Sequence, residues 1–251
     1  MTVNHSTSNF VEAVLNYARD PRFARSVPIH NGRVITHELS LDLQGFELRH
    51  HETAVANFYD EAEVRAVYYP EVERLLVTAT GAIKAVAFEH DVRRAVAQRG
   101  VRDVREPVRV VHDDYTEKSS PERVRLYLPE EAETRLRHRY AVINVWRPIK
   151  GPAQDTPLAV CDAQSLDPKD LVPTESGVKH EVYLFNFNSR HRWFYFPAMR
   201  TDEALLLKCF DSMTDGRARF TAHTAFDDPS TPPDAPPRES IEVRAMVFFE
   251  G

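Results

Sequence analysis

The 251 residues include only two cysteines, Cys161 and Cys209, so at most one disulfide is available. Each ends or interrupts an apolar run (Leu-Ala-Val-Cys and Leu-Leu-Lys-Cys-Phe), and the expectation is a pair of buried thiols in a reducing compartment. Nowhere do 18 apolar residues follow one another, so no membrane-spanning helix is expected. The opening Met-Thr-Val-Asn-His-Ser-Thr-Ser-Asn has no apolar core of a secretory leader. A cytoplasmic protein without a membrane partner is the expectation. The chain also lacks a Gly-rich phosphate loop, a Cys-x-x-Cys pair and a Gly-x-Ser-x-Gly elbow, which sets aside the motif-based readings attached to them. Positive charge is not in excess. Lys and Arg number 32 against 38 Asp and Glu, a formal charge of −6, whereas a nucleic-acid binder needs a basic footprint. The runs Arg135-Leu-Arg-His-Arg and Arg102-Asp-Val-Arg are isolated and balanced by acids, as surface charge is.

What is present is core material: 42% hydrophobic and 10% aromatic residues, in a length that suits one large β-rich domain. The domain is expected to span 1–251, with N-terminal helices and flanking strands in 1–100 and most of a jelly-roll core in 101–251. Phe10, Val14 and Leu15 have helical spacing and predict either a short helix over Phe10 to Tyr17 or a partly mobile segment there. Leu39 to Leu43 and Phe46 to Arg49 alternate and predict a hairpin around Gln44-Gly45. Val72, Leu75 and Leu76, after Pro70 at a first-turn position, predict a helix within Asp60 to Thr80. Residues 84–92 read as a strand. From about residue 108 the pattern is β: seven apolar runs begin at Val108, Tyr140, Pro157, Glu181, Arg192, Ala204 and Ile241. A polar segment with a helix over Glu130 to Arg137 interrupts them. Asp227 to Pro237 holds five prolines and is neither helix nor inner strand. Helices followed by many strands with long connections predict a mainly β fold with flanking α-helices, a double-sheet jelly-roll barrel.

One constellation carries chemistry. His112-Asp113-Asp114 ends an apolar strand, and His223 lies in the apolar stretch Phe220-Thr-Ala-His-Thr-Ala-Phe. On an extended chain residues 112 and 114 point to the same side and can reach one ion. Two imidazoles and one carboxylate suit iron(II), with three positions left for reactants. The pattern His-x-Asp/Glu alone carries little, for it recurs at His50-His51-Glu52 about as often as composition predicts. Its position at a strand end is what distinguishes His112. Taken singly, His223 also fits a core histidine bonded to a carbonyl. Arg238-Glu-Ser240 follows the proline-rich stretch and opens the last strand, whose far end is apolar (Met246 to Phe249). A cation at the mouth of such a strand can grip the carboxylate of a chelating co-substrate. Arg244 lies on the same side by period-two counting and is the alternative, with Arg238 preferred. The remaining histidines, His138, His180 and His191 among them, fall in turns or on solvated faces.

Several blocks resemble a known family: Val111-His-Asp-Asp-Tyr-Thr, Ile143-Asn-Val-Trp-Arg-Pro-Ile, Pro157-Leu-Ala-Val-Cys-Asp-Ala-Gln-Ser, His191-Arg-Trp-Phe-Tyr-Phe-Pro, Asp202 to Ser212, Ala222-His-Thr-Ala-Phe-Asp-Asp-Pro and Arg238-Glu-Ser-Ile-Glu-Val-Arg. They are similar, in order and over roughly residues 60–250, to the AsaB-like hydroxylase/desaturase family. That family is itself similar to the CmcJ component of cephamycin 7α-hydroxylation and to fungal gibberellin desaturases. The resemblance implies an iron(II)- and 2-oxoglutarate-dependent dioxygenase on a double-stranded β-helix, the jelly-roll, cupin-like core. It implies His112, Asp114 and His223 as metal ligands, and Arg238 with Ser240 as the clamp on 2-oxoglutarate. Arg238 lies farther beyond the distal histidine than is usual, because of the proline-rich insertion, and this keeps Arg244 open as the clamp. Asp114 stands where halogenases of the superfamily carry a small residue, which argues against halogenation.

Dioxygen and 2-oxoglutarate are thus the expected co-substrates. The substrate is a small molecule, natural-product or amino-acid-derived, whose unactivated C–H bond is hydroxylated, desaturated or closed into a ring, with release of succinate and CO2. No side chain is assigned a separate acid or base role. Tyr115, Asn144, Trp146, Arg147 and Trp193 are the substrate-side candidates, although Trp146 and Trp193 serve equally well as barrel core. Arg147 faces away from Trp146 on a regular strand. A catalytically silent small-molecule-binding barrel and a zinc hydrolase are the competing readings. The hydrolase has no use for Arg238 and Ser240.

Overall fold

The computed structural model describes residues 9–17, 21–95, 104–175 and 180–250. In chain order the strands are β1 (Phe10–Asn16), β2 (Ala24–Asn31), β3 (Phe46–His50), β4 (Lys84–Arg94), β5 (Val104–Arg105), β6 (His112–Asp113), β7 (Tyr140–Lys150), β8 (Leu158–Cys161), β9 (Leu171–Glu175), β10 (Glu181–Phe185), β11 (Trp193–Tyr195), β12 (Glu203–Asp211), β13 (His223–Ala225) and β14 (Glu239–Phe248). Helices are α1 (Glu61–Glu63), continued through a π turn (Val64–Tyr68) into α2 (Tyr69–Thr80), then α3 (Ser119–Tyr127) and α4 (Ala132–Arg135). The strands form two sheets, β1-β2-β11-β8-β13-β6-β10-β9 and β3-β12-β7-β14-β4-β5.

Alternation along the long strands β7 and β14 sets the layers. Val142, Trp146, Met246 and Phe248 face Leu158, Val160 and Phe196 from the other sheet. Their neighbours Ala141, Ile143, Val145, Ile241, Val243 and Val247 face outward, where water would meet them without a cover. The helical segment is that cover: Val64, Tyr68, Val72 and Leu76 pack on them, each such apolar side chain contributing about 1.5–3 kcal/mol by burial. Asp60 starts the segment, its carboxylate accepting the N–H groups of Ala62 and Glu63 at 2.9 and 3.3 Å. Pro70 sits in the first turn of α2, and Gly81 ends it at φ 70°.

Four expectations about local structure need correction. Val108 to Val111 makes no strand: Val110 forms only an isolated bridge with Asn16, and β6 begins at His112 instead of ending there. Phe10–Asn16 is a strand paired with β2, not a helix; Ala13 and Leu15 are buried while Val14 is exposed, so period two underlies what looked like helical spacing. Leu39 to Leu43 makes no strand. Its chain turns back, with the N–H groups of Leu43, Gln44 and Gly45 all donating to the Ser40 carbonyl, and Phe46–His50 pairs instead with β12. The polar segment after Asp114 carries two helices rather than one, α3 and the shorter α4. No helix among the described residues is long and apolar enough to cross a membrane.

Candidate metal centre

Register brings the site together. His112 on β6 is the direct cross-strand partner of His223 on β13, and the two ring centroids lie 4.4 Å apart. From the facing sheet, three strands align Asn144, Arg244 and Glu89 in one row, Trp146, Glu242 and Asp91 in the next, and Pro148, Ser240 and Arg93 in a third. Asp114, just past the end of β6, stands between the two sheets. One nitrogen or oxygen from each of His112, Asp114 and His223 falls within 4.8 Å of the others.

The imidazoles are held in one tautomer. Nδ1–H of His112 donates to the Val110 carbonyl at 2.7 Å and that of His223 to the Thr221 carbonyl at 2.9 Å, so each Nε2 carries a free lone pair. His223 Nε2 is buried with no hydrogen-bond partner, and His112 Nε2 stands 3.6 Å from Asp114 Oδ1. Asp114 Oδ2 accepts from Asn144 Nδ2 and Arg244 Nε, both at 2.8 Å. A buried unsatisfied ring nitrogen is costly unless something binds it, and two neutral imidazoles with one carboxylate are a donor set that suits iron(II). The residues fit the metal.

Electrostatics keeps these protonation states. Burial first, and then the neighbouring His223, push His112 down to about 3, so its lone pair is available at neutral pH. Burial opposes the charge on Asp114, but Arg244 and the two imidazoles hold it well below the usual carboxylate range. Asp113 is the opposite case. Burial and the charge of Asp114 raise it well above that range, which favours its protonated form beside Cys209 and Asp114 as the anionic donor.

Next to the imidazoles lies a small cavity lined by His112, His223, Trp146, Arg238, Arg93 and Glu242, with Val108, Leu158 and Ala225 supplying apolar wall. Arg238 is fully buried. Its Nη1 donates to the Thr156 carbonyl at 2.5 Å, its Cζ lies 5.4 Å from the Trp146 ring centroid, and Nε has no partner. Among the described residues no carboxylate forms an ion pair with its side chain. Burial and the nearby Arg93 lower its pKa to about 9, still cationic at neutral pH. Ser240 Oγ, two residues further on in β14, is also buried without a partner.

Not every residue singled out in the sequence reaches this cavity. Arg244 is corrected as a clamp on 2-oxoglutarate: its three nitrogens are taken by Asp114, Asp91 and Glu242 at 2.8, 3.1 and 3.0 Å. Arg147 is corrected too. It points to the outer, helix-covered face, over the Tyr68 ring at 5.4 Å and against the His51 carbonyl. Trp193 belongs to a separate core cluster and donates Nε1–H to Tyr17 at 2.9 Å. Tyr115 packs between Phe88 and His180 and is not among the cavity-lining residues, and Asn144 meets Asp114. Of the five substrate-side candidates only Trp146 lines the cavity. Sequence reading passed over Asp91, Arg93 and Glu242. The only signal for them was period-two placement on β4 and β14, since their partners come from other strands.

Comparisons with known proteins agree with this chemistry. A family model described as oxidoreductase/YMDC permease-like domain matches residues 4–248. The α-ketoglutarate-dependent dioxygenase phiK of Fungal sp. is 33% identical over 246 residues, 94% of this chain and 88% of its own. The hydroxylase/desaturase CTB9 of Cercospora beticola is 34% identical, covering 90% of this chain and 77% of its own. Among solved structures, the iron and α-ketoglutarate-dependent endoperoxidase NvfI superposes with a TM-score of 0.84 at 29% identity, covering 97% of this chain and 98% of its own. The agreement in fold settles the double-stranded β-helix, and agreement with named enzymes over nearly the whole chain sets aside the catalytically silent barrel. The chain belongs to the hydroxylase/desaturase family of iron(II)- and 2-oxoglutarate-dependent dioxygenases.

Proposed function

We propose that His112, Asp114 and His223 hold the iron(II) of this oxygenase, and that Arg238, with Ser240, holds the far carboxylate of 2-oxoglutarate. One observation carries the reading: the cavity lined by both imidazoles is also lined by a buried guanidinium with no carboxylate in ion-pair contact among the described residues, Glu242 and Asp155 acting on it only at longer range. A buried cation without a directly paired anion is costly, and a chelating dicarboxylate that spans metal and arginine reduces that cost. Bound iron(II) supplies the activation of dioxygen, coupled to decarboxylation of 2-oxoglutarate to succinate and CO2, that oxidises an unactivated C–H bond.

The chain's own residues do the rest. The neutral imidazoles bind metal without first losing a proton. The Arg238 fork fixes the co-substrate's orientation through paired charge-assisted bonds. Trp146, Val108, Leu158 and Ala225 supply the apolar part of the cavity wall, which helps these bonds form away from water. The substrate is a small natural-product-like molecule, as the relatives' hydroxylase/desaturase names suggest. The product is a hydroxyl, a double bond or a new ring; the endoperoxidase name of the solved neighbour supports the last.

Equilibrium titration with iron(II) under anaerobic conditions tests the ligand set. His112→Ala, Asp114→Ala and His223→Ala are each expected to weaken binding at least a hundredfold while the fold, read by circular dichroism, persists. Retention of wild-type affinity in any one of the three would remove that residue from the set.

A further inference from the structure

We propose that Arg244 and Asn144 are positioning residues that reserve one oxygen of Asp114, so that the other alone is presented to the metal. The inference rests on the metal reading of this site and goes beyond it, because neither residue touches metal or co-substrate. The hydrogen bonds to the Asp114 side chain converge on Oδ2, from Asn144 Nδ2 and Arg244 Nε at 2.8 Å each. Oδ1 is the oxygen that faces His112 Nε2. A carboxylate with both donors on one oxygen cannot rotate about its last bond without breaking a charge-assisted hydrogen bond in a buried site.

Coordination arithmetic explains why this matters. Iron(II) offers six positions, of which three protein atoms leave three: two for the chelating keto acid and one for dioxygen. A carboxylate free to turn could offer both oxygens and take a fourth position, competing with the co-substrate. Arg244 is well suited to prevent this because it cannot swing away. Asp91 holds its Nη1 and Glu242 its Nη2, at 3.1 and 3.0 Å, and Asp91 is itself held by Arg93 and Arg105, both at 3.1 Å. Asn144 comes from the adjacent strand as the direct cross-strand neighbour of Arg244. The two donors therefore reach Oδ2 from one rigid row.

The test is cobalt(II) binding by the apo full-length chain without co-substrate, followed by addition of 2-oxoglutarate and read by visible absorption. Asn144→Ala removes one donor without altering charge; its cobalt(II) affinity is expected to fall about 10–100-fold, and the cobalt spectrum should respond less to 2-oxoglutarate than in wild type. Arg244→Lys keeps the cation but loses the nitrogen fork, and is expected to show the same two changes. Thermal unfolding of each metal-free variant shows that it is folded. A folded Asn144→Ala with wild-type cobalt(II) affinity and a wild-type response to 2-oxoglutarate overturns the positioning role. If wild type itself binds no cobalt(II), the ligand set fails instead, so the two failures are told apart.

Discussion

Arg244 lies within β14 and Arg238 immediately before it, both withdrawn from water, yet their surroundings are opposite. Arg244 is saturated by three carboxylates, and their field holds it even more firmly protonated than usual despite burial. Arg238 faces a tryptophan ring and one backbone carbonyl, and burial weakens its hold on the proton. The half of β14 around Arg244 is internally complete and builds a rigid frame for Asp114. Arg238, next to the start of the strand, has no such ion-pair frame among the described residues, and the proposed co-substrate carboxylate would supply its anion. Where side chains neutralise each other the protein is spending polarity on structure; where a buried charge stands alone it is presenting a binding site.

The largest expected effect breaks the complete half. Arg244→Met leaves Asp114, Asp91 and Glu242 buried without their shared cation, and removing one partner of a buried ion pair costs about 3–5 kcal/mol. Urea unfolding should show that loss, and a midpoint equal to wild type would contradict the frame. Arg238→Met is the counterpart. It should fold with stability close to wild type, since no internal pair is lost, and bind iron(II) normally. Affinity for 2-oxoglutarate should fall by at least thirtyfold, because losing one partner of a buried charge pair costs about 2–5 kcal/mol. Equilibrium titration of the iron-loaded protein measures it.

A smaller effect concerns pH. His51, His90, His112, His180 and His191 are all shifted downward, with burial as the first cause in each. In that situation the unfolded chain binds more protons than the folded one below the ordinary histidine value. Stability of the apo-protein is therefore full above about pH 6.5 and falls as pH drops toward the depressed folded values. Thermal unfolding from pH 7.5 to pH 4.5 should show a steady fall in Tm, and a Tm that rose over this window would contradict the histidine environments. The smallest effect is His50→Ala. His50 is exposed and only 3.4 Å from Asp202 at the surface, so metal binding and stability should change within about 0.5 kcal/mol.

The same contrast explains how much the sequence could reveal. The helix Tyr69–Thr80 was legible because its buried stripe and its first-turn proline are local signals. Strands β7, β12 and β14 were legible because each carries a long apolar run. His112 and His223 stood out from the other histidines because both lie at strand ends in apolar surroundings. Sequence reading preferred Arg238 over Arg244 but could not exclude Arg244, since period-two counting puts both on the same side. Their difference lies in partners from β4 and from the turn after β6, and register across strands is a tertiary fact. Phe10–Asn16 failed for a related reason. Its pairing partner β2 is what makes it a strand, and its seven residues satisfy either period alone.

The most direct test of the account is the anaerobic absorption spectrum on adding iron(II) and then 2-oxoglutarate to wild type and to Arg238→Met. The account predicts a weak metal-to-ligand charge-transfer band in wild type that saturates with 2-oxoglutarate, and the same band in Arg238→Met only at much higher co-substrate concentration. No band in the wild-type protein, or identical titration curves for the two, would contradict it.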